Sequence, residues 1–499
     1  MSDPSANHFS AAPLAAPTTG PRGYVVISWL LILAMGGGLI YWQNEGKKQA
    51  TGEGQAPAAQ LIMLEFQARL YVGMVEFTSS KEDPAAAKEA RAKLVPAVEA
   101  LNRFSVAQRL GALITLGELA GPERARDGLL ELQKLVTEHE VALSERDRKN
   151  LEILTRLYTD YSDKRPNAPT VAPDERTELE TSLGWFGDLA LNPANPDLEE
   201  NPKRVRLLAE ASQTFVGALL ILAIALGGLI VGMFGLLLVA ILALKGVLKS
   251  RLGPAVAHHG VYAETFALWF IAYFALAWGS PSLTRERLSP VLQAALPMIL
   301  SLFVLVWPVV RGIAWKQVRQ DIGLNFGSQP LVEPILGFIS YLNSLPFLIV
   351  GFSITMVLFW LVPRGGGSTD LFAPDPSMAH PLIEQLRNAT AADVLPYFFL
   401  MCVCAPVMEE IMFRGCLYRH LRDATRTWTL SVVVSALIVS VLFAAAHPQG
   451  VFAIPILASL ACGFTLAREW RGTLIPSIIA HGLNNSLILA FAILCLMKW

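Results

Sequence analysis

The sequence predicts an all-α protein: a polytopic transmembrane helix bundle of about eight or nine spans, with a soluble α-helical domain inserted after the first. Three observations predict this. The 499 residues are 53% hydrophobic and 16% charged, with a mean hydropathy of +0.45, far from the balance of a water-soluble chain. The apolar residues gather into runs long enough to cross a bilayer. The charge is segregated: 28 of the 41 acidic and 22 of the 40 basic residues fall between positions 45 and 210, where apolar residues recur at helical spacing instead.

Taken in order, residues 1–23 are rich in Ser, Ala, Pro and Thr and read as a disordered tail without a cleavable signal peptide. Residues 24–42 form an N-terminal transmembrane anchor, although Gly36, Gly37 and Gly38 lower its helix propensity. A soluble helical domain spans 46–208, with helical runs at 59–77, 85–101, 106–119, 126–141 and 145–158. Turn signals at Lys81-Glu-Asp-Pro84 and Gly121-Pro122 separate them, which suggests antiparallel helical hairpins. Such a region serves protein contact or is structural padding. Proline-bearing linkers at 166–173 and 192–201 lead to the membrane domain, 212–499. Its spans fall near 213–245, 263–279, 291–310, 333–362, 393–413, 429–446, 451–467 and 474–497. The first carries Gly227, Gly228, Gly232 and Gly235 and the fourth Pro346, so each of these long spans is expected to tilt, kink or split.

Lys245, Lys249 and Arg251, then Arg311, Lys316 and Arg319, then Arg419, Arg422 and Arg426 cluster after alternate spans. If these loops are cytoplasmic, the N-terminus is inside, the polar region faces outward, and the protein sits in the plasma or inner membrane of its cell. The net charge of −1 offers no nucleic-acid footprint. The five cysteines, Cys402, Cys404, Cys416, Cys462 and Cys495, lie in the apolar half and read as packing residues; Cys402-x-Cys404 is too short for a zinc pair. His258, His259 and His380 sit in loops, and Trp42, Trp278 and Trp499 fit interfacial belts.

The chemistry lies elsewhere. Glu409 and Glu410 are embedded in YFFLMCVCAPVMEEIMFRG, residues 397–415. A carboxylate in hydrocarbon is costly, so intramembrane acids are functional candidates. Glu410 and Arg414 are four apart and can pair on one helix face, whereas Glu409 points a quarter-turn away and stays available. An unpaired carboxylate in a low-dielectric pocket is a stronger base than one in water. The competing structural reading is an ion pair that orders a helix end. Phe443-x-x-x-His447 precedes Pro448, which ends its helix; alone, it reads as structural. His481-x-x-x-Asn485 places an imidazole and an amide on one helix face, where a polar helix–helix clamp is the alternative.

The three motifs in this order, E-E-x-x-x-R, F-x-x-x-H and H-x-x-x-N, resemble the CAAX-protease and bacteriocin-processing (Rce1-like) family of intramembrane endopeptidases. Ala405-Pro406, Phe413-Arg414-Gly415 and Gly472-x-Leu474-x-Pro476 fit as flanks. The resemblance covers a protease core of about 390–499 and not the anchor or the soluble domain. It implies that Glu409 activates water, helped by His447. By the same token His481 positions the water or steadies the intermediate, Asn485 donates to the oxyanion, and Glu410 with Arg414 forms a supporting pair. It further implies a membrane-associated protein substrate, with a possible protein partner through 46–208. The expected mechanism needs no cofactor. Zinc held by Glu409, His447 and His481 is the alternative, although no H-E-x-x-H spacing occurs. Competing functions are a non-proteolytic scaffold or immunity-type binder and, with less support, a transporter; inverted repeats are not evident.

Depth sets a condition on this site. His481 starts about 10 Å from one side of the membrane, whereas His447 ends a helix nearer the other. They meet Glu409 only if the glutamate helix continues towards Arg422, or if a helix is short or re-entrant, around a water-accessible intramembrane cavity.

Overall fold

The fold is that of a computed structural model, which describes residues 22–51, 58–78, 84–100, 106–138, 143–163, 170–193, 201–253, 260–284, 288–361 and 391–496. The expected tail up to residue 21, His258, His259, His380 and most of both linkers lie outside the described residues, as do the side chains of Trp42, Cys495 and Trp499. Every regular element among the described residues is helical. The protein is a polytopic helical bundle; among the described residues eight helices are long and apolar enough to cross a membrane, and Ser431–Ala445 is a shorter apolar helix.

Helix α1 (Arg22–Thr51) runs unbroken through Gly36–Gly38. In lipid, a freed backbone group costs several kcal/mol, more than the ~1 kcal/mol per glycine against helix, so the helix persists. Helices α2 (Ala58–Thr78), α3 (Pro84–Ala100), α4 (Val106–Ala120), α5 (Pro122–Glu138) and α6 (Glu145–Ser162) form the region expected to lie outside the membrane, called the extramembrane region below. Two short helices follow that hydropathy did not reveal: α7 (Pro173–Leu183) and α8 (Trp185–Leu191), hinged at Gly184 with φ 56°. Leu110, Leu113, Ile114, Leu129, Leu154, Leu157 and Trp185 make a continuous buried core here.

Helix α9 (Pro202–Leu244) corrects the expectation of a kinked or split span. It is one helix of 43 residues, about 65 Å long. Its first turns belong to the extramembrane region, where the Ala211 carbonyl occupies the space a Gly73 side chain would need. The remainder crosses the bundle against α13 (Glu333–Leu361), which likewise runs unbroken through Pro346. Proline deprives the Leu342 carbonyl of its usual helical donor. That oxygen faces Gly232 of α9, where a Cβ would lie only 2.0 Å from it. The glycine and the proline therefore let the two helices approach closely, with a Cα–H···O contact at the crossing.

Between them in the chain come α10 (Val261–Thr284), α11 (Pro290–Val310, with a 3-10 stretch at Leu302–Val306) and the short α12 (Trp315–Ile322). After α13 come α14 (Val394–Ala424), α15 (Ser431–Ala445), α16 (Val451–Arg471) and α17 (Ile475–Leu496). The basic segments meet at one end of the bundle. Arg426 donates to Gly253 O at 3.0 Å, Arg471 pairs with Glu333 at 2.7 Å, and Arg422 pairs with Glu469 at 2.8 Å. The start of α1 is at the same end: Trp29 Nε1 lies 3.2 Å from His420 Nε2, and Arg311 lies over the Tyr24 ring. The extramembrane region occupies the opposite end, with Ile62 and Phe66 of α2 packed on Tyr397, Met401 and Phe491.

Candidate active site

Glu409 falls at the midpoint of the 31-residue α14, which continues past Arg422. Helix α15 has 15 residues, about 22 Å, short of a ~30 Å hydrocarbon core. His447, just beyond its end, is therefore held at depth rather than at the surface. Both conditions set by the depth of the motifs are met, and the two histidines reach Glu409 from different helices.

Helix α14 departs from α-geometry twice, with π segments at Phe399–Cys404 and Glu410–Leu417. Such wide turns are rare and gather at functional sites. In the first, the Ala405 amide reaches back five residues to Leu400 O. The next amide in that register would bond Met401 O, but residue 406 is proline. The freed Met401 carbonyl accepts instead from Asn485 Nδ2 at 2.8 Å. One turn earlier on α17, Gly482 lies against the neighbouring Cys402 carbonyl, where a Cβ would be 2.7 Å from the oxygen. Proline 406 thus seats α17 on α14 and fixes Asn485.

The two glutamates sit in different environments. Glu410 and Arg414 are both fully buried and paired at 2.8 Å. Arg414 also donates to Ala461 O at 3.2 Å, and its guanidinium lies 4.4 Å from the Phe443 ring centroid. A buried ion pair offsets its desolvation only with such added contacts. Glu410 Oε1 also receives His481 Nδ1 at 2.9 Å. A carboxylate only accepts, so Nδ1 carries a proton and donates it to Glu410, which leaves Nε2 as the atom turned to the cavity. His447 is set in the same way: its Nδ1 donates to Phe443 O at 2.7 Å. Both Nε2 atoms face Glu409 Oε2, at 3.6 Å for His481 and 3.8 Å for His447. Glu409 Oε2 is buried without a hydrogen-bond partner. Three atoms of acid–base groups thus converge: Glu409 Oε2 and the two Nε2 atoms.

They line a cavity of about 310 Å³ together with Asn484 and Asn485. The motif helices form one wall. The other, which the sequence reading did not assign, is aromatic and comes from α10: Trp269, Phe270, Tyr273 and Phe274. Phe464 and Thr465 of α16 were also missed. Phe464 stacks on His481 with ring centroids 5.6 Å apart, and Thr465 Oγ1 lies 3.4 Å from Arg414 Nε. A threonine in an otherwise apolar run was the available signal for the second.

Residues 391–487, which contain all six motif residues, match the family described as type II CAAX prenyl endopeptidase Rce1-like. Over this stretch the chain is similar to that family. A 99-residue segment is 28% identical to the membrane-embedded CAAX protease MroQ of Staphylococcus aureus (strain USA300), covering 20% of this chain and 40% of that protein. The chain therefore matches less than half the length of this curated relative. No solved structure matches the chain. The aromatic wall on α10 and the extramembrane helices lie outside the Rce1-like stretch.

Glu, His and His are zinc-type donors. Around tetrahedral zinc, with bonds of ~2.0–2.1 Å, neighbouring donors would lie roughly 3.4 Å apart. Here Glu409 Oε2 is 3.6 Å and 3.8 Å from the two nitrogens, and no group of three or more His, Cys, Asp or Glu among the described residues is arranged to hold a metal ion. The trio as placed is more open than a tetrahedral zinc site.

Proposed function

We propose that the protein is an intramembrane endopeptidase that hydrolyses peptide bonds of membrane-associated protein substrates with a water activated by Glu409. The observation that carries this is the convergence of the two Nε2 atoms on the buried, unpartnered Glu409 Oε2. Water is the small molecule that can donate two hydrogen bonds to such a set while directing its oxygen at a carbonyl. Glu409 takes the proton as the oxygen attacks the scissile carbon. His447, with Nδ1 fixed on Phe443 O, holds the water at Nε2. His481, set by Glu410, faces the same point and steadies the tetrahedral intermediate. The proton then passes from Glu409 to the leaving amine, which restores the carboxylate. Asn485 lines the same cavity; one amide hydrogen is engaged by Met401 O, and the other is the donor for the tetrahedral oxyanion.

A scaffold role accounts for Glu410, Arg414 and His481, which satisfy one another. It leaves the buried Oε2 of Glu409 without a hydrogen-bonding role. On the expected orientation, the extramembrane region is outside the plasma or inner membrane, where it could bring substrates or a partner protein to the adjoining cavity.

The test compares protein N-termini in membranes of cells carrying wild type or Glu409→Gln at matched expression. Termini that appear only with wild type establish proteolysis and name substrates. Identical sets, with the variant still complementing a deletion, would move the reading to the scaffold.

A further inference from the structure

A second cavity, of about 420 Å³, shares no residue with the catalytic one. It lies between α9, α13, α15 and α16, in the half of the bundle that carries the basic loops. Lys249 and Trp470 are at its mouth, beside the ends of α9 and α16. Leu236 and Phe347, farther along α9 and α13, line the deeper part. Asn343 lies between, ten residues into α13 and so about 15 Å from the Glu333 end.

Two features point to a ligand that is polar at one end. The Asn343 amide has no hydrogen-bond partner among the described residues. Its Oδ1 is seated where a Gly235 side chain would be, 2.0 Å from that Cβ position, so the amide is held against α9. An unbonded amide facing hydrocarbon is costly. At the mouth, Glu469 is already occupied by Arg422, Tyr418 and Ser250, whereas Lys249 has no carboxylate partner among the described residues. The mouth is therefore net positive, the middle polar and the interior apolar, in the order of a phospholipid's parts.

We propose that this cavity binds one anionic glycerophospholipid of the surrounding bilayer. Its phosphate sits at Lys249, an ester carbonyl accepts from Asn343 Nδ2, and an acyl chain lies along Leu236 and Phe347. Basic pockets between helices near an anionic leaflet recognise headgroups in this way, and an interfacial tryptophan suits the mouth.

The experiment is native mass spectrometry of the full chain, released from bilayers containing phosphatidylglycerol and phosphatidylcholine in equal amounts. Wild type should retain one phosphatidylglycerol, about fivefold over phosphatidylcholine. Lys249→Ala should abolish the preference, and Asn343→Leu should lower retention of the lipid. Leu236→Trp, which fills the cavity without touching either polar group, should remove the adduct, and it keeps the test decisive should Asn343→Leu fail to fold. Lys134→Ala, on the extramembrane helix α5, should behave as wild type. Equal retention of the two lipids, or wild-type retention by folded Leu236→Trp, overturns the proposal. Neither outcome bears on proteolysis.

Discussion

His481 is held by the glutamate that does not face its free nitrogen: its Nδ1 lies 2.9 Å from Glu410 Oε1, and its Nε2 is turned to Glu409. Adjacent, chemically identical side chains therefore occupy different roles. Glu410, buried with Arg414, orients an imidazole; Glu409, unpartnered at Oε2, is available for chemistry.

This division predicts opposite phenotypes for two isosteric changes. Glu410→Gln leaves the Arg414 guanidinium buried without its counter-ion, which should cost about 3–5 kcal/mol of stability. Glu409→Gln should retain the wild-type melting profile while losing cleavage. Thermal unfolding of both purified variants in one detergent checks this, and equal destabilisation would contradict the assignment.

Pro406→Ala is predicted to restore a backbone donor near Met401 O and so compete with Asn485 for that carbonyl. The helix should be at least as stable, because a proline leaves its interior. Cleavage should fall, by roughly 10–100-fold if Asn485 positions or donates to the oxyanion. The initial rate on a substrate found by N-terminal comparison is the readout; an unchanged rate would remove Asn485 from the mechanism.

The close crossing of α9 and α13 gives a stability prediction. Gly232→Val would place atoms where Leu342 O sits and should cost about 1–3 kcal/mol or force the helices apart. Gly227→Ala on the same helix has nothing within 4 Å of its new methyl and should be neutral or slightly stabilising. Paired melting curves of the two variants decide whether helix approach, rather than helix propensity, is why Gly232 is required.

If Glu409 activates water without a metal, activity should survive incubation with 1,10-phenanthroline, and purified active protein should contain far less than one zinc per chain. Inactivation that zinc specifically reverses would replace the glutamate mechanism with one through the Glu409, His447 and His481 set.

The sequence by itself determined the helical class, the spans and the six motif residues. Those follow from local properties: apolar runs of bilayer length, charge confined to one region, and ionisable groups where hydrocarbon makes them costly. It also determined five of the seven extramembrane helices before α9, because their apolar spacing is periodic; α7 and α8 are too short to show a period. The i, i+4 spacing already paired Glu410 with Arg414 and left Glu409 available; only the tertiary structure decided that Glu410 also holds His481, which arrives from 71 positions away. It decided that Gly232 and Pro346 mark a crossing and not a break, because Leu342 O is satisfied by a neighbouring helix. It supplied the aromatic wall on α10, a segment that the sequence marks only as an apolar span. Hydropathy and spacing record what each segment needs from its solvent. Which segment meets those needs is fixed only when the helices pack.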